Sequence, residues 1–317
     1  MRQNKSDFKV DRSIIMIIVL ASTTCFCPCN FGQDDTYPEK RTIIYSGIIN
    51  IVPDHFNFPL IGFVNLADGS HKSSHIGFIN VVGKDFEGLQ LSFVNTVGGE
   101  VNGAQIGFVN VCGGPLTGLQ LGFVNIEGKH TSGTQIGFVN ATNALKGFQL
   151  GFVNITDTIE KGIQLGFLPI VKKGGYRALE ISVTEMYPVN LSFKIGVKKL
   201  YSTFTASYNP DRGNTFAAGI GLGSIMPFSK SLYFNPELSS QSAIIKNDQQ
   251  IFCLTTGLGF YLKPKTQFTI GPSVVWNYAQ YPDDLNKPFF SIYKNQINEN
   301  NNLIIGLRVS LRYNLTD

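Results

Sequence analysis

Residues 120–125 read QLGFVN, and near-copies of that hexapeptide recur on both sides of it: LIGFVN (60–65), HIGFIN (75–80), QLSFVN (90–95), QIGFVN (105–110), QIGFVN (135–140), QLGFVN (149–154) and QLGFLP (164–169). The closing asparagines stand at 65, 80, 95, 110, 125, 140 and 154, a step of 15 and once of 14. Repetition this regular means a serially built unit, and it bears on the fold before any single residue does. Pro169 takes the place of the next asparagine. Proline cannot donate to a continuing ladder, so the series is expected to end there.

Each copy reads as one strand followed by a turn. In the copy at 119–126, Leu119, Leu121, Phe123 and Asn125 fall on one face, and Gln120, Gly122, Val124 and Ile126 on the other, because strand side chains alternate with period two. Between the cores lie Gly-rich polar stretches such as Gly128-Lys129-His130-Thr131-Ser132-Gly133, which is turn chemistry. Asp68, Lys84, Asp85, Glu100, Glu127, Lys129 and Glu160 all lie outside the hexapeptides, which predicts charge confined to strand ends. The residue before each Gln alternates in size (Leu89, Ala104, Leu119, Thr134, Phe148). The effective period is therefore nearer thirty residues than fifteen. A meander of antiparallel strands gives such a period naturally, since up and down strands meet different surroundings.

After Lys172-Lys173-Gly174-Gly175 the repeats stop but the alternation continues. Leu191, Phe193, Ile195 and Val197 alternate with Ser192, Lys194, Gly196 and Lys198; Leu307, Val309, Leu311, Tyr313 and Leu315 alternate with Arg308, Ser310, Arg312 and Asn314. These runs cover about 9–11 residues, the length that crosses a bilayer when tilted. Their second face is glycine, serine and a few charges, which suits a crowded polar lumen, and Tyr208, Trp276, Tyr278 and Tyr313 sit at strand ends where an interfacial girdle belongs.

Composition agrees. Of 317 residues only 15% are charged, against an ordinary share of about 25%, while 33 are glycine and 25 phenylalanine, and mean hydropathy is +0.05. Such a chain is not disordered. Its Lys and Arg are spread along its length, which argues against a nucleic-acid partner. Residues 1–32 carry a basic start (Arg2, Lys5, Lys9, Arg12) and the apolar run IIMIIVLA (14–21), the pattern of a secretory signal. A lipid-anchor signal fits none of Cys25, Cys27 and Cys29 well. Only Cys112 and Cys253 follow, too few for a disulfide framework or a metal site.

These readings predict an all-β, antiparallel up-and-down transmembrane β-barrel of about 16–18 strands. The alternative is a repeat β-solenoid or sheet followed by an eight-stranded barrel. The divisions are 1–32 as signal, 33–57 as an N-terminal segment with a possible first strand, 58–171 as the repeats and 176–317 as C-terminal barrel strands. Lys194, Lys198, Glu237, Arg308, Arg312, Gln105, Gln120 and Gln135 are the candidate lumen-lining residues. His71 and His75, four apart in a Ser-rich turn, read as solvated turn residues. Gly219, Gly221 and Gly223 lack the helix of a nucleotide loop and read as a small-residue lumen face. No Ser–His–Asp arrangement is defensible, so no catalytic residue, cofactor or metal is assigned.

The G-x-Q-[IL]-G-F-V-N copies resemble the bacterial surface-repeat family built from tandem QLGLVN-like units, and the final LRVSLRYNL (307–315) is similar to outer-membrane barrel C-termini, which usually finish on an aromatic; here Leu315-Thr316-Asp317 follows. The resemblance implies a cell-envelope location and no catalysis. The expected function is an outer-membrane β-barrel surface protein of structural or passive-pore type, with membrane lipid as its partner. An exported binding or adhesion module displaying the repeats is the alternative.

Overall fold

The computed structural model describes residues 45–210, 215–244, 249–279 and 288–316. The signal expected over 1–32 lies outside them. The described chain is all-β and has two parts, a parallel β-solenoid over residues 45–171 and a closed antiparallel barrel from residue 176 onward.

Each fifteen-residue repeat is one coil of the solenoid. Two short strands, such as Phe86–Leu91 and Val94–Val97, are joined by a tight turn at Ser92-Phe93, and a second turn at 98–100 leads to the next coil. Coils stack parallel and in register: Gln105 pairs with Gln90 and Gln120, and Asn110 with Asn95 and Asn125. The one short step is absorbed between Ala141 and Ala144, within the run Thr134–Leu145, so the ladders on either side stay aligned. The first described coil begins at Tyr45, and Asn50 is its asparagine, fifteen before Asn65.

The all-β class and the antiparallel barrel hold, but the barrel of about 16–18 strands does not; the alternative arrangement is the one found. The repeats do not meander because a parallel in-register stack satisfies their amides. Asn65, Asn80, Asn95, Asn110, Asn125, Asn140 and Asn154 are fully buried, and each Asn Nδ2 from Asn50 to Asn140 donates to the Oδ1 of the next rung at 2.7–3.0 Å. Glutamines run the other way. Gln105, Gln120, Gln135, Gln149 and Gln164 each donate Nε2 to the Oε1 of the rung before, at 2.7–2.8 Å. Burying amides is costly unless each is hydrogen-bonded, and the adjoining coil supplies a side-chain partner of the same type and, for the asparagines, a backbone carbonyl such as that of Ile106 or Leu121 as well. Two opposed ladders also cancel much of each other's aligned dipole.

The thirty-residue alternation has a different origin from the one expected. Leu89, Ala104, Leu119, Thr134 and Phe148 are direct neighbours in the stack. Coils lie about 4.8 Å apart, so large and small side chains take turns to relieve crowding. Glu127 stands at a strand end, as expected of the charges, but it points inward beneath Cys112 and is 2% exposed. Its carboxylate accepts from the Thr142 hydroxyl and from the Lys129 amide. His71 and His75 are also buried, not solvated. Their rings meet edge to face at 4.4 Å and pack on Phe86.

The barrel strands are β1 (Tyr176–Val183), β2 (Val189–Val197), β3 (Leu200–Asn209), β4 (Thr215–Gly223), β5 (Leu232–Ala243), β6 (Gln249–Lys263), β7 (Thr266–Ala279) and β8 (Asn301–Asn314). Neighbours in sequence pair antiparallel, and β1 closes on β8 with Ala178 opposite Asn314 and Val183 opposite Val309. β1 stops at Val183, and a strand at Tyr293–Asn298 pairs with the stretch of β8 that β1 does not reach. The outward rows read from the sequence face outward, with Leu191, Ile220, Leu254, Leu258, Trp276 and Leu311 all more than a third exposed, and Leu179, Ile181 and Leu238 on strands not read there are exposed in the same way. Ile195 is the exception at 7%. There the last coil of the solenoid lies against the wall: the Ser202 hydroxyl donates to the Gly166 carbonyl at 2.8 Å, and the Phe167 and Phe204 rings meet edge to face at 4.7 Å.

Candidate functional site

The charged residues of the barrel converge in its lumen. An eight-stranded barrel is just wide enough for its inward side chains to fill it, and this one is filled in layers. Toward the end where β1 begins, Tyr176, Tyr201 and Tyr233 pack with Ile225. The Tyr233 ring lies where a side chain on Gly259 would stand, 2.0 Å from the position of its Cβ, so β6 needs glycine there. Toward the other end, Met186 and Tyr187 from the β1–β2 loop turn inward onto Ala217, Ile251, Cys253, Val275 and Ile304. Glu185 of the same loop accepts from the Ser273 hydroxyl at 2.6 Å, and burial raises its carboxyl above the ordinary range.

Between these layers lies an ion network. Glu180 on β1 receives Arg308 Nη2 at 2.5 Å, Arg312 Nε at 2.7 Å and Nη2 at 2.6 Å, and faces Lys194 Nζ at 3.3 Å. Glu237 on β5 receives Lys194 Nζ at 2.5 Å, Arg308 Nη1 at 2.7 Å and the Tyr201 hydroxyl at 3.0 Å. Arg312 also donates to Asn235 Oδ1 at 2.6 Å and to the Tyr176 hydroxyl at 3.2 Å. Lys194 and Arg312 both stand over the Tyr201 ring. Arg308 is the most accessible of the five charged side chains, at 14%. The bridges tie β1, β2, β5 and β8 across the lumen. Two small cavities beside the network, of about 20 and 10 Å³, hold at most a water molecule each.

Of the lumen candidates, Lys194, Glu237, Arg308 and Arg312 are brought together here. Lys198 is not among them; it is exposed in the β2–β3 turn, because the inward row of β2 ends at Gly196. Gln105, Gln120 and Gln135 line no lumen and are interior rungs of the solenoid, for the amide-pairing reason given above. Gly219 and Gly221 do lie on the inward row of β4 with Ala217 and Gly223. Glu180 escaped the sequence reading. Charge balance could have found it, since three inward cations against one carboxylate call for a second, and Ala178, Glu180 and Ser182 alternate with Leu179, Ile181 and Val183.

No family model and no curated protein matches the chain. Among solved structures it is similar to the crystal structure of Neisserial surface protein A (NspA), at 12% identity and a TM-score of 0.26, covering 44% of this chain and 97% of that one.

Proposed function

We propose that this is an outer-membrane β-barrel protein of structural type, in which a closed barrel anchors the repeat solenoid to the bilayer. The observation that carries the reading is the inversion of the barrel. Its outward rows are leucine, isoleucine, phenylalanine and tryptophan, while its inward rows hold Glu180, Lys194, Glu237, Arg308 and Arg312. Only a solvent more apolar than water outside rewards that arrangement, and closure leaves no strand edge to pair with lipid.

The passive-pore version is disfavoured by the same network, because bridging side chains occupy the cross-section that a solute would need. No catalysis, cofactor or nucleic-acid partner belongs to this reading, and membrane lipid is the partner of the barrel. The test is reconstitution into vesicles and planar bilayers. The protein should stay with the membrane in alkaline carbonate, run with heat-dependent mobility in electrophoresis and conduct no more than lipid alone. Release into carbonate would overturn the anchor, and steady conductance would restore the pore.

A further inference from the structure

One long apolar surface is not used by the barrel anchor. Phe63, Phe78, Phe93, Phe108, Phe123, Phe138, Phe152 and Phe167 stand at one turn of successive coils, with neighbouring ring centroids 4.7–5.1 Å apart and planes within 6°. Each remains 39–58% exposed. Beside each Phe runs a parallel row of Ile or Leu, of which Ile61, Ile76, Leu91, Leu121 and Leu150 are 38–42% exposed. At about 4.8 Å per coil the stripe is about 34 Å long. Its rings alone expose about 700 Å², beyond the 300–600 Å² of the largest patch on an ordinary soluble monomer. No charge interrupts it: Lys84, Asp85, Glu100 and Lys129 stand at or beside the other turn of the coil.

We infer that this stripe lies on the lipid bilayer that holds the barrel, so that the solenoid rests along the membrane surface and does not project from it. The reason is continuity. The final ring, Phe167, meets Phe204 on the outward face of β3, so the stripe runs without a break into the wall that faces hydrocarbon. Ile195 is already covered at this junction, and the Ser202–Gly166 hydrogen bond fixes it. A stripe joined to that wall and uninterrupted by charge meets the condition for interfacial seating, an apolar face with charge on the opposite side.

The inference rests on the membrane reading of the barrel, and the native Trp276 on the barrel exterior separates the two. Trp276 is the chain's single tryptophan. The full-length protein is placed in phosphatidylcholine vesicles whose acyl chains carry bromine, a short-range quencher. Wild type reports Trp276; Phe108→Trp with Trp276→Phe reports the stripe; Glu100→Trp with Trp276→Phe reports the charged turn. Bromolipid should quench the Phe108→Trp emission as strongly as it quenches Trp276 and leave Glu100→Trp unchanged, and aqueous iodide should give the reverse. If Trp276 is quenched while Phe108→Trp responds only to iodide, the stripe lies in water and the inference fails with the barrel reading intact. If Phe108→Trp is shielded from both quenchers, a second protein surface covers it and the inference fails equally. If Trp276 itself escapes bromolipid, the barrel reading falls and this one with it. Circular dichroism of each variant verifies the fold.

Discussion

The lumen network makes Glu180→Gln the most informative single change. Glu180 is fully buried and holds Arg308 at 2.5 Å and both Nε and Nη2 of Arg312 at 2.6–2.7 Å. The substitution keeps the size of the side chain but leaves Lys194, Arg308 and Arg312 facing Glu237 as the remaining carboxylate of the network. It also turns an amide donor toward guanidinium donors. Breaking a buried pair from one side costs about 3–5 kcal/mol, because the surviving charge is neither solvated nor compensated. That is a fall of about 10² to 5 × 10³ in the folding equilibrium constant. The assay is urea unfolding in detergent micelles, read by Trp276 fluorescence and by the folded band in electrophoresis. Lys198→Gln in the exposed turn should stay within about 0.5 kcal/mol of wild type. Glu180→Gln combined with Arg312→Met should cost less than the two single changes added together, since each removes the other's orphaned charge. Glu180→Gln within about 0.5 kcal/mol of wild type would refute the reasoning and mean that water reaches the network.

Three further outcomes follow from the solenoid. Asn110→Ala leaves one N–H of the Asn95 amide and the Asn125 carbonyl oxygen without their partners in a buried stack, the other Asn95 N–H keeping its bond to the Ile106 carbonyl, at about 1–3 kcal/mol each; Asn50→Ala at the first described rung, where Oδ1 has no partner among the described residues, should cost about half as much by urea denaturation followed in the far ultraviolet, and equal costs would contradict the ladder. Gly118 has φ +132°, and a Cβ there would lie 1.9 Å from the Gly103 carbonyl, so Gly118→Ala should lower stability by about 2 kcal/mol or more; a neutral result would show that the coil can shift. Burial lowers the pKa of His75 to about 3, with His71 nearby adding to the effect, and burial likewise lowers His71. Both rings are then neutral in the fold and protonate in the unfolded chain at about 6.5, so their contribution is complete above that pH and is lost as pH falls below it. Hydrogen exchange over residues 60–90 should therefore quicken between pH 7 and 5 beyond its intrinsic rate change, and His71→Phe with His75→Phe should remove most of that excess.

The phenylalanine row and the outward faces of the barrel were both legible in the sequence. Phe63 through Phe167 form a row by their period alone, because a fixed repeat puts identical residues in identical environments whatever the stacking direction. The barrel faces are equally plain, since Leu311 against Arg312 or Trp276 against Asn277 is a contrast of neighbours one residue apart. Gln120 and Asn125 are where alternation misleads. They are five residues apart and so fall on opposite faces of any straight strand, yet both are buried. The turn at Gly122-Phe123 reverses the parity, and alternation alone carries no mark of a corner.

By itself, then, the amino-acid sequence determined a repeat that ends at Pro169, an all-β chain, and eight C-terminal strands with one apolar face. These depend on local alternation and period, which neighbouring residues record. Tertiary structure alone decided that the repeats stack parallel, that the amides go inside, and that Glu180 meets Arg312 across 132 residues of chain. Those outcomes turn on which partner stands opposite a polar group. A buried amide or carboxylate is tolerable only beside its complement, and that complement is supplied by the next coil or by the far wall of the barrel.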